Sequence, residues 1–333
     1  MAVTPHAQSL RDLHERVGVA GAFSPTPQRR DAFAARFDFP VTGDLDALVN
    51  DPTISAALIL TPPRTHLPLV TRFADAGKHV LLEKPLEVDT PRAEAVVDAC
   101  ERAGVALAVV LQHRFRPAAR ALAECIGAQR LGDIAAASVS VPWWRPQTYY
   151  DEPGRGTLAR DGGGVLLTQA IHTLDLFLSV APALAEVIAF AGTTPLHQME
   201  TEDIACAALR FGNGALGTLN ATTASYPGFP ERIDIVGTRA TASVVGGKLD
   251  LHFHDGRHET AGENGSLGGG ADPMAFANDA HRAVLSEFLD ALDAGRAPSN
   301  SGRAALAVHD LIDAVLESSR VHAPKTVRQR PRR

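Results

Sequence analysis

Cysteine is scarce in this sequence: three in 333 residues, at positions 100, 125 and 206. An odd number of thiols so far apart fits neither a disulfide framework nor metal-ligand spacing, which points to a reducing, cytoplasmic setting with no metal site. Positive charge is also short. With 32 Lys and Arg against 38 Asp and Glu, the formal net charge is −6, and no basic stripe marks a nucleic-acid partner. The basic C-terminal run "KTVRQRPRR" reads as a solvated end. No run approaches the roughly 18 apolar residues of a membrane span, and no charged-then-apolar leader is expected at the start. Tryptophan and tyrosine number two and three, and four of those five fall between residues 143 and 150.

A sizeable core remains possible, because 45% of the residues are hydrophobic. The first half alternates helical and strand patterns. "TPHAQSLRDLHERV" reads as a helix with Thr4 as N-cap and Leu10, Leu13 and Val17 on its apolar face. Apolar strands are expected at 17–23, 54–60, 78–82 and 105–111, with helices between them that close at Gly77 and Gly104. Strands this apolar are buried on both faces, so they imply a parallel, doubly wound α/β sheet. After about residue 130 strand follows strand, with "GNG" at 212–214 as a hairpin turn. One long helix opens at "DGGG" and two more close the chain, giving an α+β domain with a mostly antiparallel open sheet. The glycine-rich stretch 262–273 reads as a loop.

Open α/β sheets bind ligands beyond the carboxyl ends of their strands. Three such ends carry unusual residues here. "SPTPQRR" follows the first strand, where a dinucleotide fold usually has an acidic residue for the ribose 2′-hydroxyl. Ser24, Arg29 and Arg30 suit a 2′-phosphate better, unless both arginines are simply solvated on a helix start. "TPPRTH" brings Thr61, Pro62 and His66, and "EKP" brings Glu83 and Lys84. In the second half, "GGGVLLTQAIHTLD" places Thr168, Gln169, His172 and Asp175 on one helical face. The glycines before it either hold an anion on free N–H groups or let the helix approach another segment closely. "WWRPQTYYDEPGRGTLAR" supplies Trp144, Arg145, Tyr150 and Arg160, either as a platform for a charged sugar or as a hydrophobic flap or subunit contact.

The ordered series "TPPRTH", "GKHVLLEKPL" and "GGGVLLTQAIHTLD" resembles the Gfo/Idh/MocA (glucose–fructose oxidoreductase / inositol dehydrogenase) family over nearly the whole chain. The resemblance implies a Rossmann-type domain at 1–118 that binds NAD or NADP, with NADP favoured by Ser24, Arg29 and Arg30. It implies a substrate-binding and oligomerisation domain at 119–333. Lys84 would lie near the nicotinamide, with Thr61, Pro62, His66, Glu83 and Arg114 lining the cofactor. His172 would take a proton from a substrate hydroxyl. Thr168 stands where many members have an acidic or amide residue, and a hydroxyl cannot serve as a carboxylate base. Trp144, Arg145, Tyr150, Arg160, Thr168, Gln169 and Asp175 would hold the substrate.

The implied activity is oxidation or reduction of a secondary hydroxyl or keto group on a sugar, cyclitol or nucleotide-sugar-like molecule, by a homodimer or homotetramer. The family's first strand and its G-x-G-x-x-G loop should precede the helix near Thr4, yet "MAVTPHAQSL" opens at that helix. The expectation is a start assigned too far downstream or a chain lacking its first strand. The latter motivates one alternative, a catalytically silent binding or partner subunit. A second alternative keeps the cofactor and changes the reaction: some members use NAD transiently to cleave glycosidic bonds, and the sugar-like pocket would suit an NAD-dependent glycoside hydrolase.

Overall fold

The fold is that of a computed structural model describing residues 3–263 and 278–330. The expected loop at 262–273 therefore lies outside the described residues from position 264 onward. The chain divides into two compact units. The first runs through Glu87, resumes at Pro91–Val110 and takes in the segment ending at Gly302; the second holds Val88–Thr90, the residues from Leu111 and those from Arg303 onward. The helix Asp279–Asp293 thus belongs to the first unit, although the expected boundary at 118 groups it with the second.

The first unit is parallel throughout. Strands β1 (Ala22–Phe23) and β2 (Val41–Thr42) pair with each other, and β3 (Ala56–Ile59), β4 (His79–Leu82) and β5 (Leu107–Val109) form a second sheet in that order. The apolar runs at 17–23 and 105–111 extend beyond the strands that form. Gly77 and Gly104 close their helices with φ of 73° and 68°, the left-handed conformation that favours glycine. The opening helix, Val3–Asp12, buries Pro5, His6, Ala7 and Ser9 rather than the Leu10, Leu13 and Val17 stripe, and Thr4 lies inside it rather than capping it. A polar partner for His6, described below, decides which face turns inward.

The second unit is built on a nine-stranded sheet. Its strands are β6 (Ile134–Pro142), β7 (Leu184–Gly192), β8 (Ile204–Phe211), β9 (Leu216–Thr222), β10 (Arg232–Gly237), β11 (Ala240–Val245), β12 (Lys248–Phe253), β13 (His258–Gly262) and β14 (Lys325–Thr326). Their order is β13-β12-β11-β10-β6-β9-β8-β7-β14, antiparallel except for β6 beside β9. The β8–β9 hairpin turns at Asn213 and Gly214 (φ 86°), with Asn213 Oδ1 accepting from the Ala215 N–H. Burial alternates along β8, β10 and β12, as expected for a sheet with one covered face.

Between β6 and β7 the backbone makes a π-helical turn, Leu166–Ala170, and continues as the helix Ile171–Val180. The helical stretch Leu158–Val180 is apolar and long enough to pass for a membrane span, but 83% of its most apolar window is buried inside the fold, as in a core helix. All three thiols are unpaired, and burial pushes that of Cys100 up to about 12.

Candidate active site

In the first unit the strand-end loops are tied together by histidines. The His66 ring is fully buried. Its Nε2 lies 2.9 Å from the Thr61 carbonyl, and its Nδ1 lies 3.0 and 3.1 Å from the carbonyls of Pro85 and Leu86. A residue expected to line the cofactor is thus committed to joining the loop after β3 to the loop after β4. Thr61 Oγ1 accepts from the Thr65 hydroxyl within its own loop.

Glu83 is buried and engaged on both oxygens. His6 Nε2 donates to Oε1 at 2.8 Å, and the backbone N–H of Lys84 donates to Oε2 at 3.0 Å. His281 meets the His6 ring edge-on, with centroids 5.1 Å apart. Burial alone would raise the Glu83 pKa; the His6 hydrogen bond and the charges of His6, Lys84 and His281 outweigh it and hold it below the ordinary value. Glu83 is therefore an ionised anchor for the Lys84 backbone. Sequence reasoning missed both histidines, because they reach Glu83 from opposite ends of the chain.

At the end of β1, Arg30 Nη1 donates to the Ser24 carbonyl at 2.6 Å, and a side chain at Gly43 would begin 3.0 Å from that nitrogen. Arg29 is exposed. The loop presents a hydroxyl and two guanidinium groups, with no acidic side chain between Ser24 and Arg30.

In the second unit, His172 is buried on the helix Ile171–Val180 and stacks on His113, with centroids 5.1 Å apart and rings tilted by 29°. Arg116 Nη2 lies 2.6 Å from His113 Nε2 and can only donate, so that nitrogen accepts and the ring proton sits on Nδ1, 3.2 Å from Thr173 Oγ1. Arg116 in turn pairs with buried Glu231. The π turn contains Thr168 and Gln169 and runs directly into the helix that carries His172, an irregularity often found at functional sites. Thr168 Oγ1 donates to the Gly164 carbonyl at 2.6 Å and also contacts Gln169.

Four expected binders have partners within the protein. Asp175 is buried and forms a two-pronged ion pair with Arg114; burial raises its pKa even beside the guanidinium, while Asp175 raises that of Arg114 against burial. Asp175 therefore orients Arg114. Arg145 is likewise buried, its guanidinium over the rings of Trp143 and Tyr149 at 5.6 and 5.7 Å, and its Nη1 donates to the Trp144 carbonyl. Tyr150 is buried with its hydroxyl 2.7 Å from Thr223 Oγ1, and burial raises its pKa. Arg160 bonds Glu152 and the Pro153 carbonyl. Trp144 remains half-buried, edge-on to exposed Tyr226.

The glycines of "DGGG" find their anion inside the chain. The Glu202 carboxylate accepts from the N–H groups of Gly164 and Leu166, both at 3.1 Å. A side chain at Gly164 would begin 1.9 Å from the Glu202 carbonyl, and one at Gly162 (φ 77°) would begin 2.6 Å from the Val88 backbone. Close approach accounts for these glycines. Nearby, His197 bridges Asp203 Oδ2 (2.6 Å) and the Arg145 carbonyl (2.8 Å), a buried link that nothing in the sequence pattern signalled.

Comparison with known proteins names the fold. A pattern described as the oxidoreductase family, NAD-binding Rossmann fold, matches residues 1–111, and the GFO/IDH/MocA C-terminal domain matches 119–243. The chain belongs to the Gfo/Idh/MocA oxidoreductase family. Among its relatives, a D-xylose 1-dehydrogenase (NADP(+)) of Haloferax volcanii is 26% identical over 97% of this chain and 94% of its own length. A myo-inositol 2-dehydrogenase of Thermotoga maritima is 26% identical over 69% of this chain and 62% of its own. For the first three curated relatives the match spans 59, 62 and 63% of their length. The WlbA dehydrogenase of Bordetella pertussis, solved with NADH and UDP-GlcNAcA, superposes with a TM-score of 0.81 at 26% identity, covering 98% of this chain and 95% of that one.

Proposed function

We propose that this Gfo/Idh/MocA member is an NAD(P)-dependent oxidoreductase that interconverts a secondary hydroxyl and a ketone on a sugar, cyclitol or nucleotide-sugar-like substrate. The observation that carries the reading is the way Lys84 is presented: it follows β4 directly, with its backbone N–H fixed by an ionised, buried Glu83. Such rigid support is what a group acting at a reacting centre requires. The relatives named for inositol, xylose and a nucleotide-sugar complex support the substrate class.

The residues present fit the adenosine-ribose and nicotinamide ends of the cofactor. Ser24, Arg29 and Arg30 would hold the adenosine ribose, and the absence of an acidic side chain there favours a 2′-phosphate and hence NADP. Thr61 and Pro62 would line the same edge, with His66 keeping the two loops in register and the Arg114–Asp175 pair offering a fixed guanidinium. When bound, the nicotinamide supplies the hydride acceptor or donor. His172 would take the hydroxyl proton as general base, its ring stacked on His113. Lys84 would donate a hydrogen bond to a substrate oxygen as negative charge develops. Gln169, Thr168 and Trp144 orient the ring of the substrate. Exposed Ile188, Phe190 and Leu216 on the nine-stranded sheet support assembly into a homo-oligomer through that face.

The test is a titration with NADH and NADPH followed by nicotinamide fluorescence, then a panel of cyclitols, aldoses and nucleotide sugars assayed at 340 nm. Saturable nucleotide binding with turnover on one member of the panel is expected. Binding of neither nucleotide would overturn the reading in favour of a silent partner subunit, and release of free sugar without net cofactor reduction would favour a glycoside hydrolase.

A further inference from the structure

At the free edge of the nine-stranded sheet, two histidines and an aspartate converge on the solvent face. Along β12, Leu249, Leu251 and Phe253 turn inward, leaving Lys248, Asp250 and His252 on the outer face. The register sets His258 of β13 directly opposite His252. Facing residues of an antiparallel pair lie close enough for their side chains to meet. Here the two imidazoles lie almost parallel, tilted by 10° with centroids 4.3 Å apart. Asp250, two residues before His252 on the same face, has Oδ1 3.1 Å from His258 Nε2. One ligand atom from each of the three lies within 4.8 Å of the others.

We propose that Asp250, His252 and His258 form a surface site for a divalent zinc-like cation. Two imidazole nitrogens and one carboxylate oxygen are a borderline donor set that suits Zn²⁺ and disfavours Mg²⁺, which prefers oxygen throughout. Ligand atoms around a tetrahedral zinc stand roughly 3.4 Å apart, given bonds of about 2.0–2.2 Å. A metal lies in the plane of each imidazole that binds it, so the stacked rings must turn out of their parallel arrangement to share one cation, while the hydrogen-bonded register keeps the strands in place. A fourth position stays open to solvent. The cation would clip β13, which among the described residues has a single neighbour in the sheet, to β12. Lys248 opposes it: its Nζ lies 2.9 Å from the same Asp250 oxygen, so its ammonium competes with the metal for that ligand. The buried trio His6, Glu83 and His281 offers a similar donor set, but both Glu83 oxygens are already engaged there, by His6 and by the Lys84 backbone N–H, and the trio is shut off from solvent.

The experiment is calorimetric titration of the metal-stripped, tag-free full chain with Zn²⁺ alone and with Mg²⁺ alone, together with melting curves. One Zn²⁺ per chain is expected, with a rise in Tm, and no heat from Mg²⁺. Losing a partner that merely orients a metal ligand commonly costs about 10- to 100-fold in affinity, so losing a ligand, in His252→Ala or His258→Ala, should weaken Zn²⁺ by at least about tenfold. These side chains are on the surface, so the variants should keep the native circular dichroism and melt normally without metal. Lys248→Met should bind Zn²⁺ more tightly than the native chain, which adventitious binding elsewhere would not produce. Undiminished Zn²⁺ binding in the double variant His252→Ala/His258→Ala would overturn the proposal and place the cation elsewhere, the buried trio included. An equal response to Mg²⁺ would also overturn it.

Discussion

Glu83 and Glu202 are both buried glutamates that hold a functional segment by its backbone N–H groups, yet their acidities move in opposite directions. Burial raises both. Glu83 has His6 hydrogen-bonded to one oxygen, with the charges of Lys84 and His281 nearby, and ends below its ordinary value. Glu202 has only neutral N–H donors, from Leu166, its own backbone and Gly164, with Asp203 adding repulsion, and ends above it. The first is an electrostatic anchor beneath Lys84; the second is a steric and hydrogen-bonding brace beneath the helix that carries His172. Comparable hydrogen-bonding to a carboxylate therefore does not mean a comparable acidity.

The largest effects should come from the side chains these anchors present. Lys84→Met and His172→Ala should each lower turnover by about 10²- to 10⁴-fold, the usual worth of a positioned proton-transfer group, while leaving the NAD(P)H dissociation constant nearly unchanged. Stopped-flow turnover beside fluorescence titration checks this. Near-native turnover in both variants would remove the chemical role assigned to them.

Next in size is the anchor itself. His6→Ala leaves the Glu83 carboxylate buried without its imidazole and should cost about 3–5 kcal/mol in urea unfolding, the usual penalty for stranding one member of a buried pair. The pH dependence has a definite sign. A carboxylate whose folded pKa lies below its unfolded value contributes stability above that unfolded value, near 4.5 here, and loses it as pH falls through the folded pKa. The stability advantage of the native chain over Glu83→Gln should thus be present at neutral pH and fade below about pH 4.5. A constant difference down to pH 3 would show that Glu83 carries no such charge.

The brace should respond to shape. Gly164→Ala sets a methyl against the Glu202 carbonyl and should cost about 1–3 kcal/mol, as overpacking does. An unchanged melting temperature would mean that the segment yields more easily than its contacts suggest.

These pairs also show what the sequence could reveal. The residues proposed to present chemistry sit at strand ends and on one helix, where local pattern marks them: Lys84 after β4, His172 after the glycines. The sheet classes were legible for the same reason, since apolar runs and alternation are local properties. What fixes those residues was not legible. His6 meets Glu83 across 77 positions, His113 meets Thr173 across 60, and Glu202 meets Gly164 across 38. No short-range signal encodes such pairings, so Asp175 and Arg145 read as free binders until their partners came into view. The π turn escaped notice too, because "GGGVLLTQAIHTLD" suits an ordinary helix equally well.

The smallest effect separates two neighbouring arginines. Arg30 is occupied: it donates to the Ser24 carbonyl and packs against Gly43, so it shapes the loop after β1 for either nucleotide. Arg29 is exposed and is the better placed to meet a 2′-phosphate. Arg29→Ala should then weaken NADPH about tenfold, or roughly 1.4 kcal/mol, while sparing NADH. Arg30→Ala should weaken both nucleotides together, because the loop loses its internal tie. If Arg29→Ala left the NADPH-to-NADH ratio unchanged while Arg30→Ala altered it, Arg30 would have to release Ser24 on binding, and the loop would be a rearranging element instead of a preformed one.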